Sequence, residues 1–115
     1  MRPNAIAYNS NLGIRVPEEA LLYICCAPVG PYYPSGFKPS NLLAENKISR
    51  AAPGGAGNFK LGSNYGPTIM ASKKAGNQGF DQVLWLFEGM VGEVGTSNIF
   101  FYWVNNDGEG KIFIL

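Results

Sequence analysis

Short apolar runs of strand length alternate along this chain with stretches dense in glycine, proline and asparagine. Residues 20–27 are continuously apolar, which predicts a strand covered on both faces. Residues 82–87 (Gln-Val-Leu-Trp-Leu-Phe) predict another strand. A turn over 88–92 then leads to a strand that begins at 93–96 and continues through 99–104. The string Asn105-Asn-Asp-Gly-Glu-Gly110 predicts a hairpin that returns along 111–115. Residues 46–51 predict a short strand ending near Arg50. One segment reads as helix: Asn64 as its cap, Pro67 tolerated in the first turn, a body over about 65–75, and a stop at Gly76-Asn-Gln-Gly79. Lys73 and Lys74 fall late in it, where they favour its negative end and face water. Residues 1–17 are polar and yield no element. Residues 28–39, rich in proline, form a loop that carries Tyr32 and Tyr33. The class predicted is α+β, mostly antiparallel strands with one main helix, because short connections and a hairpin favour antiparallel pairing.

Composition narrows the chemistry. At 115 residues the chain is one domain's worth, and a net charge of +1 offers no basic footprint for nucleic acid and no polybasic membrane anchor. Its longest apolar run is too short to span a bilayer, and residues 1–5 lack the apolar stretch of a signal peptide. These features point to an intracellular protein. Its cysteines, Cys25 and Cys26, are adjacent; neighbours on a strand point to opposite faces, so reduced, core-filling thiols are expected. The chain has no histidine. That removes Ser-His and Cys-His nucleophile pairs and the commonest transition-metal ligand, and no metal site is expected.

The candidate chemistry centres on Lys60. It lies in Arg50-Ala-Ala-Pro-Gly-Gly-Ala-Gly-Asn-Phe-Lys60-Leu-Gly-Ser-Asn-Tyr65-Gly-Pro-Thr68, with Glu93-Val-Gly-Thr96 following. Alone among the lysines, it sits between apolar and glycine neighbours. Backbone stripped of side chains admits a flat anionic partner at close range, and burying a lysine beside a cation favours the neutral amine that attacks carbonyls. The spacing does not match a nucleotide-triphosphate loop, since Phe59 and Leu61 flank the lysine. A plain glycine-rich loop, a surface Arg50, and packing roles for Tyr65 and Thr96 stay open on these residues alone. Glu93, between Gly92 and Val94 ahead of an apolar strand, calls for a partner if buried.

The full string resembles the branched-chain amino acid aminotransferases, class IV (fold-type-IV) enzymes that use pyridoxal 5'-phosphate. Gly-Asn-Phe-Lys-Leu-Gly-Ser-Asn-Tyr-Gly-Pro-Thr, Gln82-Val-Leu-Trp-Leu-Phe87 and Glu93-Val-Gly-Thr-Ser-Asn carry the likeness in order, and residues 27–36 resemble the family's interdomain loop. The resemblance implies one partial domain over 1–115. It would comprise an N-terminal strand region over 1–29, an interdomain-type loop over 30–39, and the lysine-bearing part of the large domain over 40–115. The flanking parts of the enzyme would lie outside the chain. Ala52 stands where the family has an aromatic residue, Gly92 where it has threonine, and the turn before Glu93 is about two residues short.

By the same resemblance, Lys60 is the catalytic lysine that bonds the cofactor's aldehyde and shuttles the proton. Arg50 would hold its phosphate, Glu93 would pair with the ring nitrogen, and Tyr65 would bond the phenolic oxygen. Thr96 would lie near cofactor and substrate, and Tyr32 would line the substrate pocket. The implied reaction transfers the amino group of leucine, isoleucine or valine to 2-oxoglutarate in a homodimeric enzyme of cytoplasm or mitochondrion. A D-amino acid aminotransferase, an aminodeoxychorismate lyase and an inactive, partner-binding remnant are the alternatives.

Overall fold

The computed structural model describes residues 1–33 and 36–114. It has two compact units, Met1–Lys38 and Pro39–Leu115. The class is α+β: three strand pairs are antiparallel, one is parallel, and one helical segment is interrupted. Among the described residues, no helix is long and apolar enough to cross a membrane.

The first unit is a two-stranded sheet. Strand β1 (Arg2–Tyr8) runs antiparallel to β2 (Glu19–Cys25), from the pair Arg2–Cys25 to the pair Tyr8–Glu19. The Tyr8 hydroxyl donates to Glu19 at 2.7 Å, and the Glu18 amide donates to Asn9 Oδ1 at 3.0 Å, closing the connection. Strand β1 falls where no element was predicted; its partner β2 creates it, and pairing at a distance leaves little local pattern. The prediction that β2 is covered on both faces is wrong. Every β2 residue is exposed, because within this unit two strands have no further layer to pack against. Cys25 and Cys26 are free but exposed, so they fill no core. Tyr32 and Tyr33 pack edge to face at 4.9 Å, and Tyr32 is exposed.

The second unit holds the core. Strand β4 (Gln82–Phe87) lies between β3 (Leu42–Glu45), parallel to it, and β5 (Met90–Val94), antiparallel to it. Alternate β4 residues Val83 and Trp85 are buried beneath helix α2 (Ile69–Asn77), which presents Ala71 and Ala75 to them. Two alanines four residues apart share a helix face and let the backbone approach the bulky indole. Leu43 and Phe80 complete this cluster.

Several boundaries differ from expectation for local reasons. Residues 46–51 form no strand; β3 ends at Glu45. Thereafter Glu45 Oε1 accepts from the Lys47 amide at 2.7 Å and Ser49 Oγ donates to the Ala51 carbonyl at 2.8 Å, bonds that compete with a ladder. The β4–β5 turn is only Glu88-Gly89, both with positive φ (51° and 78°), the tight turn that matches strand twist.

Helix begins earlier than predicted, as α1 (Gly62–Tyr65), passes through a 3-10 turn at Gly66–Thr68, and continues as α2. Pro67 lacks an amide donor, which favours the tighter turn there, and the Thr68 hydroxyl donates to the Tyr65 carbonyl at 2.7 Å. Asn64 lies inside α1 and is not its cap. The stop is where expected, with Gly79 at φ 85°.

The predicted strand through 93–104 is two strands: β5 ends at Val94, and β6 (Phe100–Val104) pairs with β7 (Gly110–Ile114) in a separate hairpin. Asn105 Oδ1 accepts from the amides of Asp107 and Glu109 to close that hairpin. All ten of its strand residues are exposed.

Candidate functional site

Two close approaches at Ala51, one of them possible only for a glycine, help bring the candidate residues together. A side chain at Gly57 would come within 2.5 Å of Ala51 Cβ, so the glycine loop closes directly on the residue after Arg50. On its other side, the Ala51 carbonyl lies 3.5 Å from where a Gly92 side chain would begin. Gly92 sits at a register shift: Trp85 pairs with Glu93, while Leu86 pairs with Val91. The extra residue is a bulge, which re-aims the strand. Glu93, opposite Trp85, shares the face of β4 that carries the helical segment.

Asn64 fastens the loop that precedes the lysine. Its amide nitrogen donates to the carbonyls of Ala56 at 2.7 Å and Phe59 at 2.8 Å. That fork ties the glycine loop to the start of the helix and fixes the backbone on which Lys60 stands.

Arg50, Lys60, Tyr65 and Glu93 converge. The Arg50 guanidinium forms an ion pair with Glu93 through Nη1 and donates from Nη2 to the Tyr65 hydroxyl at 3.1 Å. Its carbon lies 4.8 Å from the Tyr65 ring centroid, and Lys60 Nζ lies 5.6 Å from that centroid. The Arg50 side chain is 6% exposed and that of Glu93 24%. Arg50 Nε is buried with no hydrogen-bond partner among the described residues. The Glu93 carboxylate also accepts from the Val94 amide at 3.0 Å. Burial alone would push the Tyr65 phenol up; hydrogen bonding and charge from Arg50 and Lys60 outweigh it and hold the phenol below its ordinary value.

Two placements differ from the expected ones. Lys60 is exposed rather than buried. Arg50, expected on a phosphate, spends its fork on Glu93 and Tyr65. Because Arg50 and Glu93 touch, no space between them can hold a group whose phosphate meets one and whose ring nitrogen meets the other. A hollow of about 460 Å³ does open alongside, between the glycine loop and the β4–β5 hairpin, lined by Ala51, Pro53, Gly55, Phe87, Met90 and Val91 among others. None of the four converging residues lines it.

Thr96 lies past the end of β5, its amide donating to Gln82 Oε1 at 3.0 Å. Tyr32 belongs to the first unit. Gly57, Asn64 and Gln82 were not marked by sequence reasoning for these tasks. Gly57 was one of several loop glycines, Asn64 looked like a cap, and Gln82 was simply the first residue of a strand.

Arg50 and Lys60 both stand over the Tyr65 ring, and Arg50 links Tyr65 to Glu93, so an amine, a phenol and a carboxylate capable of acid–base chemistry lie around one guanidinium. No family model matches the chain. It is 49% identical over 112 residues to the branched-chain-amino-acid aminotransferase of Dictyostelium discoideum, covering 97% of this chain and 30% of that protein. It is 44% identical over 114 residues to the mitochondrial branched-chain-amino-acid aminotransferase of Schizosaccharomyces pombe, covering 97% of this chain and 27% of that one. The cytosolic enzyme of Mus musculus is 44% identical over 115 residues, again with 97% and 30% covered. The chain thus spans about 30% of the length of the curated relatives it matches. Over that span it belongs to the branched-chain-amino-acid aminotransferase family.

Proposed function

We propose that the Lys60 cluster is the pyridoxal 5'-phosphate site of a branched-chain amino acid transaminase. The observation that carries this reading is the convergence of Lys60, Tyr65 and Glu93 around Arg50 in a chain with these relatives. When bound, the cofactor supplies an electrophilic aldehyde and an electron-withdrawing ring. Lys60 would be the residue that holds the cofactor through its amine and would carry a proton to and from the substrate's alpha carbon. Tyr65 stands beside the amine and donates to, or accepts from, the phenolic oxygen.

Glu93 would favour a proton on the ring nitrogen. Arg50 serves the site by orienting Glu93 and Tyr65, and it reaches a phosphate only when its ion pair with Glu93 opens. The amine, phenol and carboxylate fit the ring end of the cofactor. Thr96 and Tyr32 are assigned to substrate, with Thr96 also near the cofactor. The reaction proposed is amino transfer from leucine, isoleucine or valine to 2-oxoglutarate, in a homodimer. The relatives' names, cytosolic and mitochondrial, supply the two compartments proposed.

The test is to titrate the chain with pyridoxal 5'-phosphate, follow visible absorbance, and then assay glutamate formed from leucine and 2-oxoglutarate. A saturable yellow absorbance and glutamate formation are expected. A second reading rests on the exposed apolar hairpin of β6 and β7: an inactive chain that binds a partner. A folded chain with no saturable absorbance favours that reading.

A further inference from the structure

We infer that Gln82 is a positioning residue that sets the path of the Gly95–Ser97 loop and hence where Thr96 stands. Its side chain lies over that loop. Oε1 accepts from the Thr96 amide at 3.0 Å, and Nε2 donates to Ser97 Oγ at 3.3 Å. The Gly95 amide meanwhile donates to the Val83 carbonyl at 2.8 Å, the last bond continuing the β4–β5 ladder. One residue later the chain has left the ladder, and the Thr96 amide turns back to the glutamine side chain. These bonds hold the chain where it leaves the sheet, between the end of β5 at Val94 and the start of β6 at Phe100.

Gly95 is part of the same device. A side chain there would begin 1.7 Å from Gln82 Oε1 and 2.7 Å from its Cδ. The glutamine head group therefore occupies the place of a residue-95 side chain. Gln82 starts β4, whose next residue, Val83, is buried in the core, so the loop is referenced to the strand that carries the core. The Thr96 amide is already used by Gln82. What Thr96 can offer a ligand is accordingly its hydroxyl. The consequence for ligand binding rests on Thr96 serving the site proposed above; the positioning itself does not.

The experiment follows backbone amide exchange by NMR in the full chain, together with pyridoxal 5'-phosphate titration. Gln82→Met keeps the length and removes the acceptor; Gln82→Glu keeps the acceptor. Gly95→Ala pushes the glutamine head group aside. Thr96 amide exchange should rise about tenfold in Gln82→Met and in Gly95→Ala, as expected for one lost hydrogen bond, and stay near wild type in Gln82→Glu. The Gly95 amide, bonded to Val83, reports that the hairpin remains folded.

The double variant Gln82→Met/Gly95→Ala should exchange no faster than either single one, because both break the same contact. Cofactor affinity should weaken in Gln82→Met and recover in Gln82→Glu. Unchanged Thr96 exchange in Gln82→Met, or additive effects in the double variant, would overturn the inference. If the wild-type chain binds no cofactor while the exchange pattern holds, the positioning stands and the functional reading falls.

Discussion

Arg50 and Glu93 form an ion pair whose two ends differ in their access to water, with side chains 6% and 24% exposed. Removing one partner is therefore not equivalent to removing the other. Glu93→Gln strands a buried guanidinium and is expected to cost about 2 kcal/mol, below the range for fully buried pairs because water reaches the carboxylate side. Arg50→Met leaves a carboxylate that water can solvate and should cost about 1 kcal/mol. Urea denaturation midpoints of the two variants decide this, and equal losses would contradict it.

The Tyr65 phenol is held below its ordinary value by Arg50 and Lys60 against the opposing effect of burial, whereas Tyr8, hydrogen-bonded to Glu19, is raised. Ultraviolet titration of single-tyrosine replacements should show Tyr65 ionising first of the two. Arg50→Met or Lys60→Met should move it back upward. A folded-state value below the unfolded one means that the phenolate's contribution to stability is fully present above the ordinary tyrosine range. It is lost as pH falls through the depressed value, so at neutral pH this ionisation adds nothing.

Gly57→Ala drives a methyl group to 2.5 Å from Ala51 Cβ and 3.0 Å from its Cα. One contact is backbone, so relief requires the loop itself to move, with a cost of about 1–3 kcal/mol. Gly76→Ala is the control: it meets nothing within 4 Å in the last turn of α2 and should stabilise by up to about 0.5 kcal/mol. Thermal melts of the two variants should move in opposite directions.

Asn64→Ala removes both bonds that tie the glycine loop to the helix start. A loss of about 1–2 kcal/mol is expected, together with faster proteolysis within residues 53–60. Protease sites elsewhere in the unit should keep their rates. A uniform rise would mean that the fork stabilises the fold without organising the loop.

Much of this arrangement was legible where information is local. The strand at Gln82–Phe87, the helix stop and the returning hairpin follow from periodicity and turn residues. Strand β1 was not legible, since residues 2–8 acquire their structure from a partner eleven or more positions away. The chain past Val94 is held by a glutamine side chain reaching across from another strand, and no pattern in 93–104 betrays it. For the site, residue types and order singled out Lys60, Tyr65 and Glu93. The contact between Arg50 and Glu93 was hidden because it depends on a bulge at Gly92 and a glycine at 57 that admits Ala51. Exposure was misjudged for β2 and for Lys60, because apolar neighbours in sequence do not ensure cover in space.

The most direct measurement is borohydride reduction of the full chain with pyridoxal 5'-phosphate, followed by peptide mapping. Label confined to the peptide bearing Lys60, absent from Lys60→Ala, is the result predicted. Label spread evenly over Lys38, Lys47, Lys73, Lys74 and Lys111, or unchanged labelling of a folded Lys60→Ala chain, would contradict the account.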